Sequence, residues 1–474
     1  MERAAELERS LTLRGAVTLN LLDMIGVGPF LTLPLLLATM GGPQAMLGWV
    51  LGAVLAACDG LVWAELGAAM PEAGGTYAYL GKMFPGQWGR WLSFLFVFQL
   101  CVSAPLSVAS GCIGLAQYAG FLAPGFFGSG GVVHALRVGG YSFGVAAGRG
   151  TVVAIAAVGL AVVLLYRRLG KMRGISAGLL VVVLGLMGWA MVTGVMFGSW
   201  SRVFAIPAGG WRLDRGFFVG MGSAMLIATY DYWGYYNVTF LGGETRDPGR
   251  TIPRAVLGSI GIVAVLYLGL NASVLAVMGA PAVIAAGAGV EARRALMSEF
   301  MRVAYGQVWV GKLAAVLVMV TAFASVFSLL LGYSRIPFAA ARDGNFPAVF
   351  GRLHRTGGFP YASLLTLAGM ACLFCFFSLG DVIAALVVLR ILLQFGLQHV
   401  GVMVLRVRRP EMKRPFRMWV YPLPPVLALV GFGYIVVSRP NFGREILLAG
   451  FVAVVGTVVF VGRRLRTSAR AVGA

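Results

Sequence analysis

The chain has 474 residues, of which 59% are hydrophobic and only 12% charged, and its mean hydropathy is +0.86. Soluble domains carry about 25% charged residues, so this composition argues against one and makes the bilayer the simplest solvent. A net charge of +21 raises nucleic acid as a partner, but the placement of the basic residues, described below, points to anionic lipid instead.

A transmembrane helix needs about 20 apolar residues, and stretches of that kind recur along the whole chain. In order they fall at 15–38, 43–69, 90–118, 150–166, 175–198, 216–241, 255–279, 308–333, 360–379, 382–405, 420–437 and 446–462, which predicts an all-α polytopic membrane protein of about twelve helices. The charged start (Glu2, Arg3, Glu6, Glu8, Arg9) is followed at once by further spans, so the first helix is expected to be retained rather than cleaved. With both termini inside, 26 of the 38 basic residues fall on the cytoplasmic side, 11 in outer loops, and Arg390 within a span. The inner set includes Arg167, Arg168, Lys171 and Arg173, the run Arg406 to Arg417, and the tail from Arg463. Positive residues gather on the cytoplasmic side of membrane proteins, so the expected location is the cell (inner) membrane with N and C termini inside. Five cysteines lie in or near spans, which argues against a disulfide framework. Cys372 and Cys375 have C-x-x-C spacing in an apolar helix with no histidine pair beside them, and His134, His354 and His399 are far apart in sequence. No metal site, cofactor or nucleophilic triad is expected, and the chain does not read as an enzyme.

Two spans are irregular. In the first, Asp23-Met-Ile-Gly-Val-Gly-Pro-Phe30 sets an acid, two glycines and a proline at membrane depth. Proline removes a helical donor and glycine weakens the helix, so peptide groups around Ile25 to Gly28 are expected to leave the ladder. Such groups are tolerated in a membrane only where they face protein or line a cavity. The span beginning near Phe217 carries Ile227-Ala-Thr-Tyr-Asp-Tyr-Trp-Gly-Tyr-Tyr-Asn237 at mid-depth. Five spans separate the two starts, and paired interrupted helices at equivalent positions of two repeats mark the central site of many transporters. Close helix packing by the glycines is the other reading.

Several motifs together resemble the amino acid, polyamine and organocation (APC) transporter family. They are Ile25-Gly-Val-Gly28, Met70-Pro-Glu-Ala-Gly-Gly-Thr-Tyr-Ala-Tyr79 after span 2, Gly243-Glu-Thr-Arg-Asp-Pro-Gly-Arg-Thr-Ile-Pro-Arg-Ala255 after span 6, and Ser334-Arg-Ile-Pro-Phe-Ala-Ala-Ala-Arg-Asp-Gly-Asn-Phe-Pro347 after span 8. The aromatic sixth span is nearest the branch of L-type amino acid and polyamine carriers. The resemblance implies a LeuT-like fold. Its two inverted five-helix repeats fall at 15–198 and 216–405, the two further helices at 420–462, and residues 1–14 and 463–474 form cytoplasmic ends.

By the same resemblance, the chain is a secondary active permease, a symporter or antiporter, for an amino acid or related amine. The expected substrate-binding residues are Ile25, Gly26, Val27 and Gly28 with Thr229, Tyr230, Asp231, Tyr232 and Gly234. Amides after Gly26 to Gly28 would face the substrate carboxylate, and carbonyls around Thr229, Tyr230 and Tyr232 its ammonium. Tyr230 matches the aromatic that covers bound substrate, and is expected to act as a gate. Tyr232, Trp233, Tyr235 and Tyr236 point in several directions and cannot all line one site. Asp231 departs from the small or neutral residue that family members often carry there. An intramembrane carboxylate is a functional-site candidate, so Asp231 either binds the distal amine of a cationic substrate, carries a coupling proton, or pairs with a neighbouring span.

Asp23 has the same choices, besides ordering the broken helix. Arg390 is expected to find a structural partner rather than substrate, with Asp381 at an unfavourable depth for pairing. Glu65 and Glu244 are expected to pair with inner arginines and latch the inward gate. Ser325 and Ser328 are candidate cation ligands beside span 1, or packing serines. A proton fits better than sodium as the coupling ion, although the fifth span has no lysine to serve the proton switch of some relatives. A polyamine carrier is the alternative within transport, and a nutrient sensor built on a transporter fold the alternative from another class.

Overall fold

The computed structural model describes residues 7–127, 132–138, 141–167, 172–288, 295–378, 386–439 and 441–472. Glu2, Arg3, Glu6, Arg168, Lys171 and Asp381, named above, lie outside them. The first interrupted span comprises α1 (Leu13–Met24) and α2 (Leu33–Ala38), with a short 3-10 turn, Gly28–Phe30, between them. α3 (Leu47–Ala69), α4 (Thr76–Met83) and α5 (Gly86–Leu122) follow, then the single turn α6 (Pro124–Phe127), α7 (Arg149–Leu165) and α8 (Arg173–Phe197). The second interrupted span is α9 (Arg215–Tyr232) with α10 (Asn237–Phe240). Beyond it come α11 (Pro248–Met278), α12 (Ala280–Ala288), α13 (Leu296–Tyr305), α14 (Val308–Tyr333), α15 (Arg335–Arg342) and α16 (Tyr361–Phe374). A π-helical turn, Ile391–Gly396, leads into α17 (Leu397–Arg408), and α18 (Leu423–Val437) and α19 (Phe442–Val472) complete the chain.

Among the described residues, seven helices are long and apolar enough to cross a membrane, and three shorter apolar ones, Arg149–Leu165, Tyr361–Phe374 and Leu423–Val437, accompany them. The molecule is an all-α multi-pass membrane protein with one small exception. β1 (Val132–Val138) and β2 (Tyr141–Ala147) pair antiparallel from Val132↔Ala147 to Val138↔Tyr141, and β3 (Phe377–Ser378) joins β2. Gly139-Gly140 between two β-prone runs is a recognisable hairpin signal. Some helix boundaries also differ from the expected ones. α11 begins at Pro248 rather than near 255, because proline at the first helical turn gives up only an amide that has no helical partner. α5 runs four residues further at each end than expected.

Three of the motifs meet at the end of the molecule where α5 begins. Gly74 N donates to Phe240 O (3.1 Å), which seats the loop after α3 on the end of α10. Leu11 N donates to Glu244 O and Arg246 N to Leu11 O, both at 2.9 Å, which ties the N-terminal segment to the same loop. Glu244 and Arg335, one from each of two motifs, form a buried bidentate pair (2.8 and 3.2 Å), and Arg335 also donates to Leu331 O and Ser334 Oγ. Glu65 of α3 pairs with Arg406 of α17 and lies 3.5 Å from Arg414. Removing one partner from a buried pair costs about 3–5 kcal/mol, because the other charge is left uncompensated. Glu244→Ala and Arg335→Ala are therefore each expected to lower the melting temperature of the purified protein by several degrees. The double variant should lose less than the two single losses together.

Candidate functional site

The first break is short and specific. α1 ends at Met24, Ile25 N still reaches Leu21 O (2.8 Å), and Gly26 N turns back to Met24 O (3.0 Å). The amides of Val27 and Gly28 have no protein acceptor among the described residues. The chain resumes in the Gly28–Phe30 turn because Pro29 takes its first turn without needing a donor. The second break comes later than expected. α9 runs through Thr229, Tyr230, Asp231 and Tyr232, and the interruption covers 233–236, before α10 starts at Asn237. Gly234 supplies it with a φ of +126°, which side chains on Cβ disfavour. A Cβ on Gly234 would lie 2.8 Å from Met24 N and 2.9 Å from Asp23 C, so the two breaks touch backbone to backbone. A Cβ on Gly28 would run into the Asp231 carboxylate.

Other side chains hold the loosened backbones together. Tyr267 of α11 donates to Met24 O (2.6 Å) and lies 3.2 Å from Asp231 O, so a single hydroxyl serves carbonyls beside both breaks. Asn20 of α1 donates to Tyr235 O (2.6 Å) and accepts from Val238 N (3.0 Å). Neither residue stood out in the sequence, although a polar group in an otherwise apolar span is the signal each one carries. Removing one partner of a buried hydrogen bond costs about 1–3 kcal/mol. Tyr267→Phe is therefore expected to lower thermal stability modestly and to weaken ligand binding by roughly 5- to 150-fold, both readable in one thermal-shift titration.

Both breaks open onto a cavity of about 880 Å³. Its wall includes Asp23, Gly26, Val27, Gly28, Tyr230, Asp231, Gly234 and Ser325. Ile25, Thr229, Tyr232 and Ser328 are not in the wall. Ile25 is fully buried in the core. Thr229 and Tyr232 lie three residues apart and share the helix face turned to α3 and α11, where Tyr232 packs 5.6 Å from Trp49 and 5.3 Å from Tyr267 between ring centroids. Tyr230, on another face, is 38% exposed and reaches the cavity. Of the aromatics in the break, Trp233 and Tyr236 line the cavity, while Tyr235 turns away to donate to Asp59.

The charges of the wall are two carboxylates and one guanidinium. Asp231 accepts from Thr32 Oγ1 (2.5 Å). Arg390 is buried and donates to Tyr236 and Tyr333 hydroxyls (2.7 and 3.0 Å) and to Gln394 Oε1 (2.9 Å). It sits 5.1 Å over the Trp233 ring and reaches the cavity, so its partners are neutral groups of the site itself. Ser325 donates to Asp23 O (3.3 Å) and Ser328 to Leu19 O (2.7 Å). Both serines thus lie beside α1, with their protons directed at its carbonyls.

The cavity extends along α5 past Gln117, Gly120 and Phe121 to Gly150 and Thr151 of α7. That is the far end of α5 from Arg90, whose carbonyl accepts from Asn345 beside α15. The Glu244–Arg335 and Glu65–Arg406 pairs close the opposite end. A many-helix membrane protein with two interrupted helices meeting at a deep cavity whose largely apolar wall carries two carboxylates and a guanidinium has the build of a carrier for a small solute.

The comparisons with known proteins agree. The family model described as amino acid permease matches residues 11–460, and the chain belongs to that family. It is 25% identical to the serine/threonine exchanger SteT of Bacillus subtilis, over 97% of this chain and 98% of that one. It is 32% identical to an uncharacterized transporter of Mycobacterium tuberculosis, over 77% and 73% of the two chains. The human Asc-type amino acid transporter 1 is 25% identical over 97% and 82%. These are transporters, not enzymes.

Proposed function

We propose that this protein is a secondary active permease that moves amino acids by alternating access around the breaks at 25–28 and 233–236. Seven long helices, three shorter ones and the two interrupted spans would make twelve crossings. On this reading 15–198 and 216–405 are inverted five-helix repeats of the LeuT type, and 420–462 adds two helices. Residues 1–14 and 463–474 lie in the cytoplasm of a cell whose inner membrane holds the protein.

One observation carries the proposal: unbonded amides at Val27 and Gly28 adjoin the Asp231 carboxylate in the wall of a single cavity. An α-amino acid presents a carboxylate and an ammonium a few ångströms apart, and these are the complementary charges. The amides would take the carboxylate. Asp231 and freed carbonyls near it would take the ammonium, with Tyr230 closing over the substrate. Ile25, Thr229 and Tyr232 would support that arrangement from behind. A proton is proposed as the coupling ion, and Ser325 and Ser328 lie beside α1 with their hydroxyls on Asp23 O and Leu19 O.

A second reading, a carrier for polyamines or other organic cations, is favoured by Asp23 and Asp231 both lining the cavity. Arg390 in the same wall opposes it. Counterflow in proteoliposomes separates the readings. Vesicles loaded with an unlabelled neutral amino acid should accumulate the labelled compound, and putrescine should not compete. Competition by putrescine with none by amino acids would favour the cation carrier, and tight binding with no counterflow would favour a sensor.

A further inference from the structure

We propose that Arg390 is a positioning residue: it holds the cavity side of the second break, and through Trp233 the Tyr230 ring, in the arrangement that binds substrate. This inference rests on the transport reading above. Arg390 is buried and lies in the cavity wall together with Trp233, Tyr236 and Tyr333. A cation inside a membrane span is costly to bury and marks a functional site by default.

The need for such a residue follows from the backbone. Between α9 and α10 the amides of Gly234, Tyr235 and Tyr236 have no hydrogen-bond acceptor among the described residues, so the break has no ladder to fix it. Side chains must do so from both sides. On the side away from the cavity, Asn20 holds Tyr235 O and the Tyr235 hydroxyl donates to Asp59. On the cavity side the grip comes from one span. Arg390 donates to the Tyr236 hydroxyl (2.7 Å), and its guanidinium lies 5.1 Å from the Trp233 ring centre and 5.7 Å from that of Tyr236. Phe395, in the π-helical turn that starts directly after Arg390, stacks on Trp233 with 5.0 Å between centroids. π-helical turns inside helices are frequent at functional sites.

Arg390 also joins the break to an unbroken helix. The nitrogen that meets Tyr236 donates as well to the Tyr333 hydroxyl of α14 (3.0 Å), so α14, Arg390 and the break are linked in series. Arg390 Nε donates to Gln394 Oε1 (2.9 Å), four residues along its own span, which sets the plane of the guanidinium. A planar fork makes these three bonds at once, and the single ammonium of a lysine cannot copy that geometry. The grip reaches the proposed gate, because the Trp233 and Tyr230 rings lie 5.4 Å apart between centroids. Removing the guanidinium would release Trp233 and Tyr236 together, and with them the Tyr230 ring and the Gly234 backbone that meets the first break.

The test uses the full chain in proteoliposomes. The labelled substrate is whichever amino acid shows counterflow, and alanine, leucine, glutamate and lysine are the competitors. Arg390→Met removes the bridge without leaving a charge. It should weaken binding of every amino acid that competes by one common factor, roughly 10- to 150-fold, so that their order is unchanged. Tyr236→Phe and Tyr333→Phe each cut the series at one end. Each should lower affinity, and the double variant should match the larger single loss to within about 2-fold, where independent contacts would multiply. Arg390→Lys should not restore wild-type affinity. A changed order of preference would make Arg390 a substrate ligand, and unchanged affinities with a lower melting temperature would make it a structural cation. Either result, multiplied losses in the double variant, or full affinity in Arg390→Lys would overturn the inference and leave the transport reading standing. Absence of counterflow by wild-type protein would remove both. Should Arg390→Met fail to fold, the two tyrosine variants and their double decide.

Discussion

Replacing Gly234 with alanine is expected to reduce counterflow by about 100-fold or more and to lower the melting temperature of the protein. A methyl group there would meet Met24 N and Asp23 C at under 3.0 Å, both of them backbone atoms, while the residue keeps a φ of +126°. Backbone strain of that kind costs about 1–3 kcal/mol, and the contact must also be relieved by moving one break away from the other. Every 1.4 kcal/mol is tenfold in an equilibrium constant, so separation of the breaks should be seen first as lost binding. The control is Gly258→Ala in α11, where an added methyl meets nothing within 4 Å and activity should be unchanged. Transport at wild-type rates by Gly234→Ala would show that contact between the breaks does not matter.

Asp231→Asn should be the most damaging substitution that keeps the fold intact. Its carboxylate adjoins Gly28 and accepts from Thr32, and it faces the cavity with one oxygen still able to meet an ammonium. Hydrogen bonds to charged groups contribute about 1.5–3 kcal/mol, so substrate affinity should fall by roughly 10- to 150-fold, with little change in melting temperature. Residual transport by Asp231→Asn that keeps the wild-type pH profile would exclude Asp231 as the coupling acid, and a flattened profile would assign it that role.

How much of this was legible in the sequence differs by element. The first break could be read closely, since Gly26, Gly28 and Pro29 are each poor helix formers and they cluster. The second could not be placed to the residue. Tyrosine and tryptophan are not helix breakers, and only the single Gly234, held at positive φ by contact with α1, ends α9. That contact comes from tertiary structure, which no local pattern contains. Helical periodicity predicted that the aromatics near Gly234 would diverge, but not that Tyr232 would face Trp49 while Tyr230 faced the cavity.

Arg390 was visible as an intramembrane charge, yet its partners come from α14 and from the second break, far apart in the chain. The burial of His399 within 3.1 Å of Asp59 is hidden for the same reason, because 340 positions separate the two. The motifs were legible as motifs. Their joint purpose, binding Glu244 to Arg335 and the loop after α3 to α10 at one closed end, is visible only in three dimensions.

If the two helix breaks together recognise both charges of one small amino acid, competition binding to the purified protein with a transported amino acid, its methyl ester, its N-acetyl derivative and putrescine will show it. Loss of about 100-fold or more in affinity for the ester and for the acetylated compound, with no measurable binding of putrescine, is the predicted result. Binding of the ester or of putrescine as tight as that of the amino acid would contradict it.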